Sequence, residues 1–262
     1  MNKTKIEWAD MTWNPVTGCL HDCNYCYARK IANRFGGASE THYNECVGEE
    51  CQWVTEPTGE IHVLDEPVYD VDRGHKAPYP FEFDPTLHAY RFDEPQKIKK
   101  PKTIFVCSMA DLFGDWVPYT WIKEVFKACE AAPQHRYLFL TKNPKRLCDL
   151  ANKSLLPQRD NYWYGTTLTD KDSLRFPGGL HYNTFLSIEP IQGPLNAGLG
   201  SFGGDGWIII GAETGNRKGK IIPQREWIEN IVKAAAITHI PVFMKESFRD
   251  LMGEDFRQEF PW

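Results

Sequence analysis

Three cysteines lie within eight residues of one another, in the segment Gly18-Cys19-Leu20-His21-Asp22-Cys23-Asn24-Tyr25-Cys26-Tyr27. Thiolates at a C-x3-C-x2-C spacing on so short a loop can converge on one metal centre. A structural zinc site takes four closed ligands, and its usual sequence sign is two separated pairs rather than a triplet. A [4Fe–4S] cluster held by three thiolates keeps its fourth iron open to a ligand from outside the chain, which is what activation of a bound molecule needs. The spacing alone leaves zinc open, because His21, or the pair Cys46 and Cys51 at C-x4-C, could complete such a site. The remaining cysteines, Cys107, Cys129 and Cys148, sit in apolar strand or helix patterns and read as buried thiols.

The elements that must position this loop are legible as alternating patterns. The runs TIFVCS (103–108), YLFLTK (137–142), YWYGTTL (162–168), TFLSIEP (184–190), WIIIGAE (207–213) and PVFMKES (241–247) are strand-length and rich in β-branched or aromatic residues. Amphipathic stretches at 119–132, 144–152 and 224–238 separate several of them, the last with Trp227, Ile228, Ile231, Val232 and Ala235 on one face. A first strand over 7–13 and a helix over 25–35 flank the cysteine loop. The α/β alternation predicts a partial or full parallel (β/α) barrel of about six to seven strands. A doubly wound open sheet gives the same sequence pattern, and in either fold active residues gather at the C-terminal ends of the strands. Those ends carry Ser108 and Asp111, Thr141 and Lys142, Thr166 and Thr167, Ser187 and Glu189, Glu213 and Thr214, then Lys245 and Glu246.

Composition sets the outer limits. A chain of 262 residues, 42% of them apolar, suits one domain over 1–262. Residues 38–96 break the rhythm as an acidic, proline-bearing insert after the first helix, a candidate lid. They hold 14 acidic residues against three basic ones, a balance of −11, so a net charge of −5 leaves +6 on the rest of the chain. That excess is compatible with an anionic partner and equally with a solvated surface. The opening residues MNKTKIEWAD lack the apolar stretch of a secretory signal, and no run approaches the roughly 20 apolar residues that cross a bilayer. Eight cysteines without such a signal point to a reducing, cytoplasmic setting and to thiolate chemistry rather than disulfides.

An aromatic residue just before the last cysteine, here Tyr25, makes the loop resemble the signature of the radical SAM superfamily. More narrowly, IEWADMTWNPVTGC, CNYCYA, IFVCSMADLFGDWVP, YLFLTKNPKRL, the LSIEP run, IIIGAETG and PVFMKES resemble, in that order, a phage-associated radical SAM-like family of poorly defined function. The resemblance implies a [4Fe–4S] cluster on Cys19, Cys23 and Cys26, with S-adenosylmethionine (SAM) bound to the open iron and cleaved reductively to methionine and a 5′-deoxyadenosyl radical. It also implies an electron donor such as flavodoxin or ferredoxin. A nucleotide or nucleic-acid substrate follows by analogy with thymine-lesion repair lyases.

Other candidate residues are read against that expectation. Many superfamily members place a glycine-rich turn ending in an acidic residue after the second strand, to hold the SAM amino group; Ser108-Met109-Ala110-Asp111 stands there instead. Asp111 with Ser108 is a candidate for that role, with a helix cap as the plain alternative for Asp111. Ser187 and Glu189 alternate onto one face of a strand and form a second candidate pair, the alternative being an ion pair of Glu189 with Lys142 or Lys245. Gly211 and Glu213 close another strand with small residues that let a ligand approach the backbone. Trp8, Trp13, Tyr25 and Tyr27 flank the loop as shields or core.

Overall fold

The structure, a computed structural model, describes residues 1–36, 55–56, 59–70, 74–169, 176, 181–195 and 206–262. Its main sheet begins with β1 (Asn2–Lys3), which pairs antiparallel with β2 (Met11–Trp13). From β2 onward every pairing is parallel: β3 (Thr103–Val106), β4 (Arg136–Thr141), β5 (Tyr162–Thr167), β6 (Asn183–Ile188), β7 (Ile208–Ile210) and β8 (Val242–Met244). Each strand lies beside the one before it in sequence, and the order nowhere reverses. A doubly wound sheet needs such a reversal. The observed order, a mostly parallel eight-stranded sheet without reversal, is consistent with a partial barrel.

Side-chain alternation along these strands sorts the core into two faces. Ile104 and Val106, Tyr137 and Phe139, and Tyr162 and Tyr164 turn toward α2 (Tyr119–Glu130) and α3 (Pro144–Asn152). Leu186, Ile188, Ile208, Ile210, Val242 and Met244 do the same toward α4 (Arg225–Ile237). The intervening residues Phe105, Leu138, Trp163, Phe185, Ile209 and Phe243 fill the face opposite the helices together with Trp8 and Trp207. Gly165 belongs to this inner layer because a Cβ there would lie 2.3 Å from the Phe185 ring. The C-terminal tail runs antiparallel along β8 through a Phe243–Gln258 bridge, and Trp207 Nε1, just before β7, donates to the Glu259 carbonyl at 2.8 Å. No helix among the described residues is long and apolar enough to cross a membrane.

The runs 207–213 and 241–247 are strand only over Ile208–Ile210 and Val242–Met244, and beside the cysteine loop two boundaries differ from the sequence reading, each for a local reason. The first helix, α1 (Tyr27–Phe35), starts two residues later than expected because Cys26 is its N-cap, its Sγ accepting from Arg29 N at 3.3 Å. The first parallel strand is only three residues long, and Trp8, read as part of it, packs into the core on the face opposite the helices instead.

The described part of the acidic insert is built into the scaffold. Thr86–His88 pairs antiparallel with Val16–Thr17 and parallel with His62–Leu64, making a three-stranded sheet directly before the cysteine loop. Within it His88 is wholly buried, with Nε2 2.8 Å from Thr17 Oγ1 and Nδ1 3.2 Å from the Tyr90 hydroxyl. Burial, helped by the Arg91 charge, pushes its pKa down to about 2, so the ring is neutral.

Candidate functional site

The cysteine loop leaves the end of β2 and is held from behind by the insert and from the side by the segment after β3. Gly18 has φ +85°, a conformation that favours glycine, and a Cβ on it would fall 2.1 Å from the Asp84 carbonyl oxygen. Its N–H donates to Met109 O at 2.9 Å, and Cys19 N donates to Phe83 O at 3.2 Å. Asn14 ties the same side together, its Oδ1 accepting from Ser108 Oγ at 3.2 Å and from Met109 N at 3.0 Å. The loop is therefore fixed at the C-terminal mouth of the sheet.

Cys19, Cys23 and Cys26 are all free thiols and half-buried. Burial pushes Cys19 up to about 12 and raises Cys23, and the thiols add to this by disfavouring one another's ionisation. The Lys142 charge opposes the rise at Cys23. Lys142 Nζ also donates to the Tyr25 hydroxyl at 3.3 Å and stands 5.3 Å from the centre of that ring. Burial, then the neighbouring Cys23, raises Tyr25 above the ordinary phenol range. Arg29 adds a second cation: its guanidinium donates to Cys19 O at 3.3 Å, while its Nε is buried without a hydrogen-bond partner among the described residues.

These features bear on what the loop can hold. Among the described residues, no three His, Cys, Asp or Glu side chains close on a single ion. One zinc would draw its thiolates in to about 2.3 Å from the metal, whereas a cube of four irons holds them farther apart. The donor set suits the cube: three thiols of one loop, two nearby cations to offset its negative charge, and the Arg29 backbone N–H already donating to Cys26 Sγ at 3.3 Å. His21 does not join the set through Nε2, which is engaged by Asp111 at 2.8 Å. Cys46 and Cys51, the candidate partner pair, lie outside the described residues. Cys107 and Cys129 are buried in the outer core and Cys148 packs against it.

Asp111 is buried at 5% exposure, and both of its carboxylate oxygens are taken up within the chain. Oδ1 accepts from Thr141 Oγ1 at 2.7 Å and Phe113 N at 3.0 Å; Oδ2 accepts from Lys142 N at 2.8 Å and faces His21 Nε2. Four such partners saturate a carboxylate. Ser108 lies beside α1, its carbonyl accepting from the Tyr27 hydroxyl at 2.6 Å.

Farther along the sheet, Ser187 is buried and by alternation shares the face of Phe185, and Glu189 follows just beyond the strand. Glu189 pairs with Lys245 Nζ, the ion-pair alternative of the sequence reading. Gly211 makes room for that pair, since a Cβ there would meet Lys245 Cδ at 2.8 Å and Glu189 Cγ at 3.0 Å. Glu213 is gripped by Arg217 through Nε at 2.6 Å and Nη2 at 2.8 Å, which holds its carboxyl below the usual carboxylate range. Trp8 and Trp13 are core residues of the two faces, not shields of the loop.

Sequence reasoning did not single out Asn14 and Arg29, and considered His21 only as a metal ligand. Each acts through contacts with residues 10 to 95 positions away, which no local pattern announces.

No curated protein matches the sequence. Among solved structures, spore photoproduct lyase complexed with dinucleoside spore photoproduct superposes with a TM-score of 0.54 at 10% identity, over 93% of this chain and 79% of that one. A cysteine-to-serine mutant of spore photoproduct lyase gives a TM-score of 0.52 at 12% identity over the same shares. At such identities the likeness is one of fold. Residues 3–250 match a family described as protein of unknown function (DUF5131), and over that nearly full-length span the chain belongs to it.

Proposed function

We propose that this chain is a radical SAM-type iron–sulfur enzyme, with a [4Fe–4S] cluster on Cys19, Cys23 and Cys26 and a nucleotide or nucleic-acid substrate. The observation that carries the reading is the placement of three free, half-buried thiols on one loop at the C-terminal mouth of a sequentially ordered parallel sheet. The fold likeness to spore photoproduct lyase supports it, and the substrate class rests on analogy with the dinucleoside complex of that lyase. When bound, cluster and SAM would supply one-electron cleavage of SAM to methionine and a 5′-deoxyadenosyl radical, the electron coming from a donor such as flavodoxin or ferredoxin.

The chain's own residues would bind, orient and exclude water. Lys142 and Arg29 offset negative charge at the thiolates, and Tyr25 covers them on the Lys142 side. Glu189 and Lys245 present opposite charges side by side at the mouth, matching the ammonium and carboxylate of an amino-acid ligand. Ser187, Gly211, Glu213 and Ser108 complete the rim that would receive the rest of SAM. Asp111 enters as a support for the loop, because its oxygens are already engaged. The aromatic layer on the face opposite the helices would exclude water beneath the ligand.

The test is anaerobic reconstitution with iron and sulfide, followed by dithionite and SAM, with 5′-deoxyadenosine scored by chromatography. The proposal expects about four irons per chain and 5′-deoxyadenosine above a no-enzyme control. Iron bound without 5′-deoxyadenosine would overturn the SAM reading; zinc bound in place of iron would overturn the cluster itself.

A further inference from the structure

We infer that His21 and Asp111 form a latch that sets the shape of the Cys19–Cys26 loop before any cluster is present, making His21 a positioning residue for the thiols. The inference rests on the iron–sulfur reading only for its purpose; the latch itself is geometric. Of the residues between Cys19 and Cys23, Asp22 is at φ +50° with its side chain 92% exposed, and Leu20 is apolar. Asp22 faces α1, its Oδ1 3.7 Å from Arg29 Nη2, whereas His21 reaches the ends of the sheet strands, through Nε2 to Asp111 Oδ2 at 2.8 Å. The Trp116 indole meets its ring edge-on with centroids 4.9 Å apart and restricts its swing. The His21 carbonyl in turn faces Cys23 Sγ at 4.0 Å, so displacing His21 displaces the second thiol.

Asp111 is a rigid anchor for this contact. One carboxylate gathers groups from beyond the ends of three neighbouring strands: His21 after β2, Phe113 after β3, and Thr141 with Lys142 at the end of β4. The arrangement is asymmetric. Without His21, Asp111 keeps three donors; without Asp111, those three and His21 all lose this partner. Loss of the imidazole should therefore loosen the loop and leave the fold intact.

The experiment compares wild type, His21→Ala and His21→Gln. In the reduced, metal-free proteins, hydrogen exchange over residues 19–26 should be about tenfold faster or more in His21→Ala, as befits loss of one charge-assisted hydrogen bond, with exchange elsewhere unchanged. His21→Gln, whose amide can donate to Asp111, should restore protection. After anaerobic reconstitution, His21→Ala should retain less iron and show a shifted cluster midpoint potential, and His21→Gln should recover both. Unchanged loop exchange in His21→Ala, faster exchange spread over the whole chain, or no rescue by glutamine would each overturn the latch. Failure of wild type to take up iron would overturn the proposed function instead, while the metal-free exchange would still decide the latch.

Discussion

Replacing Asp111 by alanine is the sharpest probe of how the loop is supported. The carboxylate is buried and accepts from two backbone N–H groups, Phe113 and Lys142, and from the Thr141 hydroxyl. Each buried donor left without an acceptor costs about 1–3 kcal/mol. The hydroxyl can rotate and water can enter part of the cavity, so about 4 kcal/mol is a fair total for the three. For a domain of this size each kcal/mol moves the unfolding midpoint by roughly 2–4 °C, which gives a fall of about 10 °C. Asp111→Asn keeps the shape and one acceptor oxygen, and should lose about half as much. The assay is thermal unfolding of the reduced, metal-free protein followed by circular dichroism, so that cluster loss cannot masquerade as instability. A fall of less than about 2 °C for Asp111→Ala would refute the reasoning, since it would mean that the donors find other partners at no cost.

Three further outcomes follow from the same geometry. Cys19→Ala, Cys23→Ala and Cys26→Ala should each abolish iron retention after anaerobic reconstitution, whereas Cys129→Ala, in the outer core, should keep it; full retention in all three loop variants, by iron assay, would remove the cluster from the loop. Gly18→Ala would drive a Cβ to 2.1 Å from the Asp84 carbonyl at a left-handed φ, so the loop must leave the insert; an unfolding midpoint and an iron content equal to wild type would contradict that. The depressed pKa of His88 makes stability pH-dependent with a defined sign. The unfolded chain takes up a proton near pH 6.5 and the folded one does not, so this contribution is present above about 6.5 and is lost as pH falls toward about 2. The slope from this one group approaches about 1.4 kcal/mol per pH unit, and urea titrations at pH 7 and 5 should show His88→Gln to be less acid-sensitive than wild type.

The sequence by itself determined the parts of this protein whose signal is local. Continuous apolar runs announced the strands from residue 103 onward, because a parallel strand covered on both faces must be apolar in both side-chain directions. The triplet Cys19, Cys23 and Cys26 announced a thiolate site, because ligands on one short loop are bound to be near one another. Tertiary structure alone decided how the strands are ordered, since βα alternation is the same in a barrel-like and a doubly wound sheet, and only the pairing of each strand with its predecessor separates them. It also decided what the polar residues at the strand ends do. Asp111, Glu189, Gly211 and Glu213 all read as candidate ligand contacts, with a cap open for Asp111 and an ion pair for Glu189; in the fold Asp111 is saturated within the chain, Glu189 and Glu213 pair with Lys245 and Arg217, and Gly211 makes room beside the Glu189–Lys245 pair. The acidic insert hid its structural half for the same reason: Thr86–His88 owes its place to pairing with Val16–Thr17, some 70 residues earlier. A buried charge is stable only with a partner, and which partner the fold supplies depends on distances in space that spacing along the chain does not encode.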